Sequence, residues 1–156
     1  MERVSRQVAQ DRIHTLLVPL GSASLLVPSA LVAEVINVGP LQTLPLSEPW
    51  LLGLMNWRSR PVPVVSFDIL LGHPIPPVGP RAKIVIFYPL EGRNAYEFFG
   101  VITAAEPQPR TFHDGQALSQ TVENTSPYLA LTLQLDKAVA GIPNLEALRG
   151  LFYPQA

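Results

Sequence analysis

The chain has 156 residues, 47% of them apolar and 15% charged, with 11 basic against 12 acidic side chains and no cysteine. This is the length of one domain, which can bury about 68–70% of its extended surface without disulfide or metal staples. Mixed charges close to neutrality leave no electrostatic footprint for nucleic acid or an anionic membrane, and the lack of cysteine agrees with a reducing compartment.

Residues 1–12 carry charge at both ends and lack the apolar core of a secretory signal, so they read as a flexible N-terminus. No run approaches the ~18 apolar residues of a spanning helix, and a cytoplasmic location is expected. Residues 13–20 are apolar and β-prone, Gly21 and Ser22 supply a turn, and residues 24–28 complete a hairpin. Residues 29–34 allow one helical turn or a strand bend, and 35–38 are extended. Gly39-Pro40 breaks the chain, and residues 41–44 read as a short strand ended by Pro45. Residues 47–52 start like a short helix, with Ser47 as N-cap, Pro49 in the first turn and Gly53 as its stop.

From Gly53 to Gly72, two apolar runs flank a polar knuckle, Arg58-Ser59-Arg60. Pro61 and Pro63 fix φ and remove backbone donors two residues apart, so residues 61–67 read as an extended segment of the kind found at sheet edges. The knuckle is the apex of a hairpin, where a guanidinium faces outward on a rigid support. Trp57 and Phe67 are expected to anchor apolar packing beneath it. Phe67 then opens a helical turn closed by Gly72.

Residues 72–81 hold four prolines and two glycines and form the best boundary between two halves, 13–71 and 82–143. Residues 82–88 are a continuous apolar strand, buried on both faces. Glu91 to Asn94 is the turn of the next hairpin, which returns through residues 96–103. Pro107 and Pro109 interrupt the pattern, residues 114–127 form a polar loop, residues 128–135 alternate, and 139–142 are a last short strand. Residues 144–152 form a C-terminal helix with Asn144 as N-cap, Glu146 in its first turn and Arg149 near its end. Altogether 17 prolines, against roughly eight in an average chain of this length, mark a protein of strands and turns. Its apolar surface favours a resident partner.

Two segments echo each other: Val62-Pro-Val-Val-Ser-Phe-Asp-Ile-Leu70 and Ile142-Pro-Asn-Leu-Glu-Ala-Leu148. Each runs from a β-branched residue and a proline into a helical turn, at the end of about five short strands. The echo suggests a duplicated pair of small barrels, with chance similarity in a Pro- and Leu-rich chain as the alternative.

No signature of catalysis emerges. Gly21-Ser22-Ala23-Ser24 sits in a hairpin turn, not in the strand-to-helix turn of a nucleophile elbow. His14, His73 and His113 lack metal-ligand spacing, no glycine-rich loop precedes Lys-Ser or Lys-Thr, and neither metal nor cofactor is expected. His113-Asp114 could be an acid/base pair, although a hydrogen-bonded loop pair is the simpler reading. Trp50 and Trp57 could stack on a ligand, although core and rim packing is the simpler use of both.

The order Val27-Pro28, Val32, Glu34-Val35, then Leu44-Pro45, Gly53-Leu-Met-Asn-Trp-Arg58 and Val62-Pro-Val-Val resembles the CheW-like domain. Weaker matches at Ile84-Val-Ile86, Gly100-Val-Ile102 and 142–148 extend the resemblance over residues 13–150 as a single domain. It implies a mostly β fold of two intertwined five-stranded SH3-like β-barrels with short helices and no enzymatic activity. It further implies a cytoplasmic adaptor that couples the helical tip of a methyl-accepting chemoreceptor to the regulatory domain of a CheA-type histidine kinase. By position, Val32, Glu34, Asn56 and Arg58 match the receptor-coupling groove, and Ile84 and Gly100 match strands of the kinase-docking barrel. Ser59 stands where the pattern has glycine and Ser66 where it has aspartate. These departures point to a divergent adaptor of a type IV pilus or surface-motility array.

On this reading Glu34 and Arg58 lie together at a groove between the barrels, with Val32 and Leu54 as apolar anchors for an amphipathic helix. The plainer alternatives are a surface ion pair worth ~0–1 kcal/mol for Arg58 and core packing for Ile84 and Gly100. A small ligand-binding β-barrel, or an enzyme with a loop-borne site near His113, are the rival functions.

Overall fold

The computed structural model describes residues 12–90, 96–113, 126–135 and 138–153. The expected hairpin forms from β1 (Arg12–Pro19) and β2 (Ser24–Pro28), followed by a 3₁₀ turn over Ser29–Leu31. Next come β3 (Val32–Asn37), β4 (Leu51–Trp57), β5 (Arg60–Val65) and a one-turn helix α1 (Phe67–Leu70). The second half supplies β6 (Lys83–Phe87), β7 (Phe99–Ile102), β8 (Gln108–His113), β9 (Leu129–Leu135), β10 (Ala138–Pro143) and α2 (Leu145–Phe152). The turn expected at 91–94 and most of the loop at 114–127 lie outside the described residues, as does Asp114.

The strands form two five-stranded sheets, ordered β8-β1-β2-β10-β9 and β3-β6-β7-β5-β4. The division at residues 72–81 therefore does not separate them. The second sheet is continuous in sequence from β3 to β7, whereas the first takes β1 and β2 from one side of that stretch and β8 to β10 from the other. The proline-rich segment carries the chain from α1 to β6 inside one sheet. It crosses over because β5 and β6 flank β7, parallel to it on one side and antiparallel on the other.

The two sheets share one plan. In each, the fourth strand in the spatial order, β5 or β10, runs parallel to the central strand, β7 or β2, and leads into a helix. The sequence echo falls on these equivalent places. Ser66 Oγ accepts from the Ile69 N–H at 3.3 Å and Asn144 Oδ1 from the Ala147 N–H at 3.1 Å, so both helices start from a side-chain cap. Serine thus does at position 66 what an aspartate would do.

Strand periodicity divides the apolar residues among three cores. Val18, Leu25 and Val27 of the first sheet meet Val65, Val85, Phe87, Phe99 and Val101 of the second, sealed by Phe67 and Leu148 from the helices. The alternate residues face away from that interface: Leu26 joins Phe112, Leu133 and Leu135, and Ile84 and Ile86 join Met55, Trp57, Val62 and Val64. β6 is accordingly buried on both faces, as its unbroken apolar run predicts. Trp57 lies under the central hairpin, while Phe67 belongs to the core between the sheets.

Each sheet wraps its own core, although no ladder joins β3 to β4 or β8 to β9 among the described residues. In the second sheet the two edges meet through side chains: Ala33 and Ile36 of β3 pack on the core that contains Met55 and Trp57 of β4. A buried carboxylate ties the sheets together. Asp68, 2% exposed at the start of α1, accepts from the Gly21 and Ser22 N–H groups at 3.1 and 3.0 Å and from the Ser22 hydroxyl at 2.9 Å.

Four local expectations are corrected. Residues 47–52 are not helical; a turn closed by the Leu51 N–H to the Glu48 carbonyl delivers the chain into β4. Gly53 is a close-approach residue within β4, not a helix stop: its φ is 146°, the register shifts beside it, and a Cβ would stand 2.6 Å from the Gln42 carbonyl oxygen. The strand expected at 41–44 reduces to a single bridge between Gln42 and Leu54. Pro109 does not interrupt the pattern but lies within β8, because β8 is an edge strand and can forgo a donor.

Candidate functional site

The β4–β5 hairpin turns through two residues, Arg58 and Ser59, between the paired Trp57 and Arg60. Both have positive φ, 50° and 63°, the signature of a type I′ turn, whose twist matches that of the flanking strands. Glycine or asparagine normally relieves this geometry, and here neither is present. Ser59→Gly is therefore expected to stabilise the protein by about 0.5–1 kcal/mol, the left-handed strain removed less the entropy glycine adds to the unfolded chain. Urea midpoints of the two proteins measure it, and an unchanged or lower midpoint would mean that the serine is not strained.

At this apex the edges of the second sheet come together. Glu34 of β3 accepts the Trp57 indole N–H at 2.8 Å and pairs with Arg58 Nη2 at 3.2 Å through the same oxygen, Oε1. The Arg58 guanidinium lies 4.8 Å from the centroid of the Trp57 ring. Trp57 is 6% exposed, so its indole N–H needs a partner, and Glu34 supplies it. The Arg58 side chain is 67% exposed and held on two sides, which makes it a fixed cation and not a wandering one.

The row continues past Trp57. Its ring meets Phe98 at 5.0 Å, and Arg60 lies over Phe98 at 5.1 Å and over Tyr96 at 5.9 Å. The hairpin thus presents two guanidiniums on a shared aromatic shelf, Arg58 on Trp57 and Arg60 on Phe98. Phe98 and Tyr96 were not singled out in the sequence. The signal available there was a tryptophan in a strand that had to find both an acceptor and a flanking ring.

The other sequence-expected residues fall in different environments. Asn56 is exposed on β4, opposite Pro61, on the face away from the Trp57 core. Val32 is half-buried and packs on the core between the sheets. Ile84 is fully buried, and Gly100 is enclosed with it: a Cβ at Gly100 would stand 2.8 Å from Ile84 Cγ2. Both serve core packing, and neither side presents a side chain to a partner.

Beyond the hairpin is an apolar groove of about 310 Å³. Trp50, Leu54, Pro61 and Pro63 line it together with Leu151 and Phe152 of α2, and the Trp50 and Phe152 rings meet edge to face at 5.7 Å. Leu54 is the expected anchor that reaches it, but Val32, Glu34, Asn56 and Arg58 do not line it. At its end the Tyr153 hydroxyl donates to the Phe98 carbonyl at 2.8 Å. Burial, reinforced by the Glu97 carboxylate, pushes the Tyr153 phenol above its usual range, so it remains a protonated donor at neutral pH.

Among the described residues no group of three or more His, Cys, Asp or Glu side chains is placed to hold a metal. His113 is exposed at the end of edge strand β8. No described helix is long and apolar enough to cross a membrane.

Comparison with known proteins bears on this geometry. The profile of the CheW-like domain matches residues 14–150. The crystal structure of the scaffolding protein TtCheW from Thermoanaerobacter tengcongensis superposes with a TM-score of 0.71 at 15% sequence identity, over 86% of each chain. That likeness is one of fold. No curated protein sequence matches significantly.

Proposed function

This chain belongs to the CheW-like domain family, and from that membership we propose that it is a non-catalytic cytoplasmic adaptor between a chemoreceptor of the methyl-accepting type and a CheA-type histidine kinase. The observation that carries the proposal is the Glu34–Trp57–Arg58 knot, in which one carboxylate oxygen holds both an indole N–H and a guanidinium at the rim of the second sheet. A surface ion pair of this exposure contributes little to folding. Its value is positional, because it fixes a cation where a partner helix can be oriented. Helix-in-groove recognition draws affinity from apolar contacts and register from a few charges. Leu54 supplies apolar contact on one face of β4, Asn56 stands beside it as a polar contact, and Val32 supports the base of β3 from the core. Ile84 and Gly100 enter only as support, since both are enclosed. A pilus or surface-motility array is the setting we favour, on the departures from the family pattern, chiefly at Ser59, since Ser66 keeps a helix-capping role.

Arg58→Glu places two acidic groups together at the knot. Its affinity for the helical tip of the cognate receptor, measured by calorimetry, is expected to fall by on the order of tenfold or more. Circular dichroism should remain native. Unchanged affinity would remove Arg58 from the interface and leave it a surface cation.

A further inference from the structure

Leu46 is an apolar side chain held out in water on a strained backbone. The Ser47 N–H donates to the Leu44 carbonyl at 3.3 Å, closing a β-turn with Pro45 second and Leu46 third. At Leu46 φ is 61°, the left-handed region that a turn with proline in second place ordinarily fills with glycine or asparagine. Its relative exposure is 106%, the highest of any large apolar residue described. The isolated chain is therefore disfavoured twice at one position, by the backbone and by the side chain. Glycine would relieve both. A leucine there is accounted for by a contact with another molecule.

The apolar groove adjoins this turn. Leu44 and Trp50, which precede and follow Leu46 in the chain, both line it. At about 310 Å³ it has room for a leucine side chain, and no carboxylate, ammonium or guanidinium belongs to its lining. A second copy would meet no like charge there. A protrusion and a depression side by side on one face are what a twofold contact requires, because the rotation brings each copy's protrusion over the other's depression. We propose that this face is a self-association surface, on which two copies of the chain dock with each Leu46 seated in the other's groove, against Leu54, Pro61, Pro63 and the Trp50–Phe152 ring pair. Neither Glu34 nor Arg58 lines the groove, so Leu46→Gly probes this surface without touching the knot, and Leu54 alone is shared with the proposed partner site.

Sedimentation velocity over a loading series from about 1 μM to about 1 mM should show the wild-type protein passing from monomer to dimer. Leu46→Gly should weaken that association by roughly tenfold to a hundredfold, as for loss of an interface anchor. In dilute solution the same variant should gain roughly 2–4 °C in Tm from the relaxed turn, which separates lost contact from lost fold. Leu54→Lys should weaken the dimer from the groove side. An equimolar mixture of the two variants should associate more tightly than either alone, since one of the two seats is then intact. A wild-type protein that stays monomeric throughout overturns the proposal, as does a Leu46→Gly protein that dimerises normally. A mixture no tighter than its components overturns the twofold geometry.

Discussion

Trp57→Ala is expected to lower the free energy of unfolding by about 3–5 kcal/mol, the range for removing a large buried aromatic. The residue stands in the core of the second sheet with Met55, Val62, Val64 and Ile84, and its ring packs on Phe98 at 5.0 Å. Truncation empties the place where β3 and β4 meet through side chains alone, with no ladder between them to limit collapse. It also leaves Glu34 without its indole donor and Arg58 without the ring beneath it. Trp57→Phe separates these effects: most of the packing remains, and the lost hydrogen bond should cost about 1 kcal/mol. Guanidinium midpoints with unchanged slopes measure both variants. A loss below about 1 kcal/mol for alanine would mean that the sheet closes on other contacts.

Asp68→Ala should cost about 2–4 kcal/mol, because the carboxylate accepts three hydrogen bonds at 2% exposure. Two of the donors are backbone groups of the β1–β2 turn and the third is the Ser22 hydroxyl, so the loss falls on the join between sheets and not within either. Gly21 and Ser22 are exposed, and water can reach their freed N–H groups, which keeps the figure below that of three stranded donors. Asp68→Asn retains an acceptor and should lose less. Amide exchange at Gly21 and Ser22 should accelerate selectively in Asp68→Ala. A midpoint within about 0.5 kcal/mol of wild type would show that apolar packing alone holds the sheets together.

Where the governing physics is local, the residues announced the structure. Gly21-Ser22 between two apolar runs makes the first hairpin, Asn144 caps α2, and the unbroken 83–87 run is buried on both faces. The echo between Val62–Leu70 and Ile142–Leu148 marks two parallel inner strands, each leading into a capped helix. Sheet membership is different in kind, since β1 pairs with β8 across roughly a hundred residues and no property of residues 12–19 names that partner. Prolines and glycines misled for a related reason. Gly53 and Pro109 act through what lies beside them in space, a carbonyl oxygen in one case and an unpaired edge in the other. At the candidate site, the resemblance named Glu34 and Arg58, and these do come together. Phe98 was invisible, because a ring just ahead of a distant strand declares itself only when the tryptophan it flanks is already placed.

The order in which the strands are made adds a constraint of its own. The second sheet has all of its strands once residue 102 has been synthesised, whereas β1 and β2, made earlier, wait for β8 to β10. A two-stranded hairpin is marginal alone in water. On a ribosome the N-terminal hairpin therefore lacks its own sheet while a complete neighbour is already available, and Val18, Leu25 and Val27 can dock on that neighbour's Val85 and Phe99 first. The contact between the sheets becomes a template: the earliest strands are held in register by the finished sheet until the last three arrive to pair with them. Vectorial synthesis thus favours a hierarchy in which the interface precedes one of the units it joins, leaving the long-range closures of β8 on β1 and β10 on β2 until last.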